Sequence, residues 1–237
     1  MSGAVAELAR YTLSKDFRRI DPASAKVLLV EAGPRLLGAF PEPLQTYALE
    51  ALTQAGVQVR LNTAVQSVTE RGVETSAGEI RAATVVWGAG IRAASGAEWL
   101  PVAPDRLGRI PVGADFRVQG VESVYAIGDL ARFEQDGAPV PALAQVARQQ
   151  GLHLGHALRA GAAVGRFRYR SRGDTAVIGR HAAIFVLGRF TLKGRLAWLL
   201  WALVHVYLLI GADKRTLVAT EWVWRYFTYE RGARLID

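Results

Sequence analysis

Apolar and polar residues alternate along the chain in runs short enough to read as separate elements. Over residues 2–20, Val5, Leu8, Ala9, Leu13 and Phe17 fall roughly on one face at helical spacing, and Asp21-Pro22 ends the run. The apolar stretch 26–33, KVLLVEAG, predicts a buried strand with a Gly-Pro turn behind it. Residues 43–56, PLQTYALEALTQAG, predict a helix capped by Gly56, and VQVRLNT follows as a strand. AVQSVTE, GVETSAG and GEIRAATVVWG then predict three short strands joined by turns. This order suits the later part of a Rossmann-like α/β unit with a hairpin insertion. It begins in the helix, without the opening strand and its glycine turn.

After Gly96 the pattern loosens. VESVYAIGD, residues 121–129, predicts a strand ending in Gly128-Asp129, and residues 141–161 predict a helix. RFRYRSR and AAIFVLGRF read as strands. Residues 196–210 carry no charge over 15 positions, short of the roughly 20 a spanning helix needs. Lys193, Arg195, Lys214 and Arg215 flank them. TEWVWRYFTYERGARLI then mixes aromatic and basic residues. The expectation is two in-plane helices forming a monotopic anchor, with Trp198, Trp201, Trp222 and Trp224 at headgroup level. The competing reading for 196–210 is a buried core helix.

Charge sharpens this picture. The net charge is +8, and residues 166–237 hold 13 basic against 5 acidic residues, while residues 1–165 balance at 16 each. A basic, aromatic end on a neutral body points to anionic lipid or nucleic acid. RFRYRSR interleaves arginines with Phe167 and Tyr169, as a base-stacking strand would. No recognition module accompanies it, so nucleic acid is not expected. The chain has no cysteine, which removes disulfides, CxxC redox chemistry and thiolate metal sites. His153 and His156 lack a third ligand nearby, so no metal site is expected. Glu7 and Arg10 interrupt any secretory pattern.

Candidate chemistry sits at strand ends. TVVWGAGIRA spaces Gly88, Gly90 and Ala93 as G-x-G-x-x-A. A pyrophosphate cradle also needs a following helix and an acid about 20 residues on; neither is legible here. The stretch is instead a strand end with permissive backbone at Ala89 and Gly90. Glu31 ends VLLVE, where a carboxylate can accept from both ribose hydroxyls and repel a 2′-phosphate. Gly128 lets backbone approach a ligand, and Asp129 offers a carboxylate to a polyol. Gln145 and Gln149 share one helix face, and that helix start favours an anion.

Taken together, AVAELARYTLSKDFRRIDP, VLLVEAGPRLLGAFPE, TVVWGAGIRA, VYAIGDLA, AQVARQQG and TEWVWRYFTYERGARLI resemble the C-terminal portion of a type II NADH:quinone oxidoreductase. The resemblance covers essentially the whole chain. It implies an N-terminally truncated α/β flavoprotein with two dinucleotide-binding (Rossmann-like) domains and a C-terminal membrane-associated region. Residues 1–87 would be a partial NADH-binding domain, 88–165 the end of the FAD-binding domain, and 166–237 the membrane-anchoring region. The cofactors implied are FAD and NADH, and the partners are a membrane quinone and the anionic lipid surface, with a homodimer also considered. Asp129 would hold the ribityl chain of FAD, with Ala144 and Gln145 beside the isoalloxazine. Gln145 and Gln149 would line the quinone pocket. Glu31 would hold the NADH ribose, and Ala89 and Gly90 would lie at the nicotinamide end. The location implied is peripheral, on the inner face of the cytoplasmic membrane. Both G-x-G-x-x-G turns of that family are missing. The alternative expectation is therefore a non-catalytic membrane-surface fragment unable to hold FAD. Other two-dinucleotide flavoproteins fit less well, because disulfide and sulfide:quinone chemistry needs thiols.

Overall fold

A computed structural model of the chain describes residues 1–13, 17, 20–209 and 211–228. In chain order the elements are helix α1 (Ser2–Glu7), continued by a π turn over Leu8–Thr12, strand β1 (Val27–Val30), helix α2 (Glu42–Gln54), and strands β2 (Val57–Arg60), β3 (Val65–Thr69), β4 (Gly72–Thr75) and β5 (Gly78–Arg81). The short pairs β6 (Ile110–Pro111) with β7 (Ala131–Arg132), and β8 (Glu134–Gln135) with β9 (Ala138–Pro139), precede helix α3 (Ala144–Arg159). Strands β10 (Asp174–Gly179), β11 (Ala182–Leu187) and β12 (Phe190–Gly194) lead into helices α4 (Arg195–Leu208) and α5 (Ala212–Thr228). The chain divides into two compact units, Met1–Val85 with Gly173–Asp237, and Val86–Arg172.

In the first unit β1 and β2 pair in parallel, Val27 opposite Val57, and α2 makes the crossover between them. Pro43 in its first turn presets the helix start, and Glu42 there suits the dipole. Gly56 ends it at φ +76°, a left-handed position that favours glycine. The Arg10 guanidinium donates to the carbonyls of Ala55 and Gly56, which satisfies acceptors the helix leaves open. Leu44, Ala48 and Leu52 recur every fourth residue and are buried with Ala6, Leu36, Val57, Ile178 and Ile184. β3, β4 and β5 form the expected antiparallel meander, and β10, β11 and β12 form a second.

Several sequence expectations change. The first helix does not bury Val5 and Leu8, which are 40% and 38% exposed; it buries Gly3, Ala6 and Ala9. The reason is closeness: a Cβ on Gly3 would overlap the Ile178 carbonyl oxygen of β10, so only small residues fit that face. Residues 14–16 and 18–19 lie outside the described residues, and Phe17 and Ile20 are not helical. The strand expected over 78–88 stops at Arg81. AAIFVLGRF is two strands of a hairpin, turning at Gly188 with φ +57°. Gly173–Asp237 belongs to the same unit as Met1–Val85, because β10 and β11 cover α2 and share its core.

The second unit has little regular sheet. Its core centres on Phe116, 0% exposed, with Phe133 and Phe167 at ring-centroid distances of 5.8 and 5.0 Å. The strand expected over 121–129 is reduced to one bridge, Arg117 with Tyr125, before a 3-10 turn over Gly128–Leu130. RFRYRSR makes no strand ladder. The expected helix begins at Ala144, three residues later than Pro141.

Candidate functional site

The second unit carries the most organised constellation. The chain reaches Gly128 from the buried Ala126 and turns there with φ +68°. The Gly128 N–H donates to Gln150 Oε1 at 2.7 Å. Gln150 is 1% exposed, so this amide is a buried polar group holding one defined partner. A Cβ on Gly128 would touch the Ala147 methyl at 3.4 Å, which places the turn directly against α3. Asp129 follows in the 3-10 turn and is exposed.

α3 starts at Ala144 after Leu143, and no side chain caps it. Its first N–H groups and the dipole make that end receptive to negative charge. Ala144 is exposed there. The structure thus sets the Gly128–Leu130 turn against α3 at Ala147 and Gln150, with Asp129 and Ala144 exposed.

Gln145 and Gln149 lie on one face of α3, as their spacing requires, and both hold backbone. Gln149 accepts from the Arg170 N–H at 3.2 Å and donates to the Arg170 carbonyl at 2.9 Å. Gln145 Oε1 accepts from the Arg172 N–H at 3.1 Å. Gln135 does the same for Tyr169, accepting at 2.8 Å and donating at 3.3 Å. Side-chain amides thereby replace the missing strand neighbour of residues 169–172. Sequence reasoning missed both Gln135 and Gln150. Gln150 had a signal: it follows Val146 by four residues, on the face that meets the core, where a polar residue needs a reason.

Ala89 and Gly90 are exposed in irregular backbone, with Gly90 at φ +102°, and nothing packs where a Gly88 or Gly90 side chain would be. No helix follows them directly; the next turn is a 3-10 segment at Ser95–Trp99. That geometry agrees with reading G-x-G-x-x-A as no pyrophosphate cradle. Asp105 is used in its own loop. Burial pushes its carboxyl up, but hydrogen bonds from Arg109 and Leu107 and the Arg109 charge outweigh that and hold it below the usual range. In the first unit Glu31 follows β1 directly, and one carboxylate oxygen accepts from the Gly33 N–H at 2.7 Å.

The first unit also holds a cleft of about 350 Å³ lined by Glu7, Tyr11, Tyr47, Glu50 and His181 among others. Burial, with Arg180 and Arg195 near, pushes the His181 imidazole down, against the pull of Glu7. His181 packs edge-on to Trp198 at 5.3 Å. Trp201 stacks on Trp222 at 5.6 Å, joining α4 to α5, with His205 5.2 Å from Trp201. Trp198, Trp201 and Trp222, expected as anchors, have ring partners inside the protein, and Trp224 is 58% exposed. Outward apolar surface comes from Leu196, Leu199, Leu203 and Tyr207, one stripe of α4, all more than half exposed. Among the described residues no helix is long and apolar enough to cross a membrane.

Residues 5–151 match the pyridine nucleotide-disulphide oxidoreductase family model. Similar curated proteins include the type II NADH:quinone oxidoreductase Ndh of Mycobacterium tuberculosis, 32% identical over 98% of this chain and 52% of its own length. Another is the type II NADH:quinone oxidoreductase of Staphylococcus haemolyticus, 31% identical over 72% of this chain and 44% of its own. The chain spans about half the length of the curated relatives it matches. Among solved structures, NDH2 from Plasmodium falciparum in complex with NADH has the same fold, with a TM-score of 0.82 and 16% identity, over 99% of this chain and 66% of that one.

Proposed function

The chain belongs to the pyridine nucleotide-disulphide oxidoreductase family, and from that premise we propose that it takes part in passing electrons from NADH through FAD to a membrane quinone. None of this chain's own residues supplies the thiol chemistry in the family's name, since it holds no cysteine. Quinone is the acceptor named for its relatives.

The observation that carries the reading is the uncapped start of α3 beside the Gly128–Asp129 turn, pinned by Gln150. These groups fit a flavin. Asp129 would accept hydrogen bonds from ribityl hydroxyls. Ala144 and Gln145 would lie against the pyrimidine edge, where the α3 dipole favours negative charge. A bound flavin supplies the hydride-accepting and electron-passing chemistry. Every contribution from this chain is one of position. Gly128, without a side chain, admits close approach of backbone. Gln145 and Gln149, fixed by Arg172 and Arg170, would form a rigid rim for the quinone headgroup, and Gln149 Nε2 carries a second hydrogen for a quinone oxygen. Glu31 would accept from the NADH ribose hydroxyls and discriminate against a 2′-phosphate. Ala89 and Gly90, open and without side-chain bulk, would admit the nicotinamide end.

The α4 stripe of Leu196, Leu199, Leu203 and Tyr207, with Trp224 on α5, supports an in-plane anchor. Peripheral attachment at the inner face of the cytoplasmic membrane, where NADH is available, follows from the same reading. The same exposed stripe also suits a second reading, a membrane-surface role without catalysis. Visible absorption separates the two. Flavin taken up by the purified chain, bleached by NADH and re-oxidised by a soluble quinone analogue, supports the electron-transfer reading. A chain that takes up no FAD overturns it for this chain by itself.

A further inference from the structure

Residues 166–172 place Arg166, Arg168, Arg170 and Arg172 at every second position. In extended backbone, alternate side chains leave opposite sides. The inward set is fixed. Phe167 is 6% exposed within the ring cluster, and its N–H donates to the Ala114 carbonyl at 2.8 Å. Tyr169 is half-buried, and Gln135 takes both its backbone groups. Gln149 and Gln145 hold the next residues of the segment.

All four arginines are exposed. Arg168 pairs with Asp136 at 3.0 Å. Among the described residues no carboxylate pairs with Arg166, Arg170 or Arg172. Guanidiniums two residues apart along extended chain repeat about every 7 Å, so the row is roughly 20 Å long. Folding has already ordered it, so binding loses little backbone freedom.

We propose that this arginine row docks on the anionic headgroups of a lipid bilayer. The proposal deepens the quinone reading and rests on it, since the glutamines that hold the row are those assigned to the quinone rim. A membrane quinone is reached only from the bilayer surface, and the row borders that rim. Guanidinium binds phosphate oxygens in pairs, and a planar headgroup array accepts a row of any spacing. Single-stranded nucleic acid fits worse: it requires exposed rings for stacking, and Phe167 and Tyr169 face inward.

Co-sedimentation of the full chain with vesicles tests this. On phosphatidylglycerol/phosphatidylcholine vesicles, Arg166→Gln combined with Arg170→Gln and Arg172→Gln should weaken partition on the order of 100-fold, about fivefold for each charge. The corresponding three lysine substitutions should stay within a few-fold of wild type. On pure phosphatidylcholine the difference between wild type and the glutamine variant should vanish. Should the triple variant fold poorly, each single substitution reads the same fivefold step. Equal partition of wild type and glutamine variant on the anionic vesicles overturns the proposal, as does an equal loss on pure phosphatidylcholine. Release by millimolar inorganic phosphate, or by an oligo-dT strand that binds wild type and not the variant, would also overturn it. Flavin uptake is measured separately. A chain without flavin that shows the charge dependence keeps this surface and loses the electron-transfer reading; the reverse result does the opposite.

Discussion

Gln150 commits a buried amide to one backbone N–H 22 residues away. Leucine there would fill similar space and leave the Gly128 N–H without its partner, which costs about 1–3 kcal/mol. Gln150→Leu should lower the urea midpoint accordingly and speed hydrogen exchange at Gly128, while Gln150→Glu, which keeps an acceptor, should recover much of the protection. Unchanged exchange in the leucine variant would show that the turn does not depend on this bond. His181 gives a pH effect of definite sign. Its folded pKa lies below the ordinary value, so folding favours the neutral ring. The stability it contributes is complete above the unfolded pKa of about 6.5 and is lost as pH falls through the lower folded value. His181→Gln should therefore show a smaller fall in Tm between neutral and mildly acidic pH than wild type. An identical fall would assign the acid sensitivity elsewhere. His181 did not stand out in the sequence, and Gln150 only as a polar residue four after Val146 on the core-facing side. The spacing of Gln145 and Gln149 drew attention to one face of α3, whereas the burial of Gln150 follows from what packs on the opposite face.

At the scale of elements, α4 separates two jobs that composition blends. Its tryptophans make the internal stack with α5 and the contact with His181, and its leucines make the outward stripe. Leu199, 55% exposed, and Leu203, 70% exposed, touch little inside, so Leu199→Glu with Leu203→Glu should preserve the fold and release the protein from vesicles. Binding retained by that pair, with an unchanged circular dichroism spectrum, would remove α4 from the anchor. α2 was legible in full because its four-residue apolar spacing, Pro43 and Gly56 all agree. α1 was legible as a helix but not in its facing. Its buried residues are Gly3, Ala6 and Ala9, with Gly3 close against β10, and of these the apolar spacing picks out Ala9 alone.

At the scale of the molecule, the first unit is built from both ends of the chain. Ile178 and Ile184, from β10 and β11, are buried with Leu44, Ala48, Leu52 and Val57. Ending the chain after Arg172 would strip these two side chains from the core and expose their partners. The truncated chain should lose slow amide exchange over 1–85 while residues 86–172, with their own core of Phe116, Phe133 and Phe167, retain it. Uniform protection across both would show that the first unit does not need its C-terminal strands. By itself the sequence determined the α/β class, the meander of β3 to β5, the two helices at the end, the basic excess after residue 165 and the lack of cysteine among its residues. Each of these is set by local periodicity or by composition. The tertiary structure alone decided which face of α1 is buried, that residues 173–237 complete the first unit, that Phe167 and Tyr169 turn inward, and that glutamine side chains hold residues 169–172 and the Gly128 turn. Those features depend on contacts between residues far apart in the chain, and an extended segment paired by side chains leaves no periodic trace in the sequence.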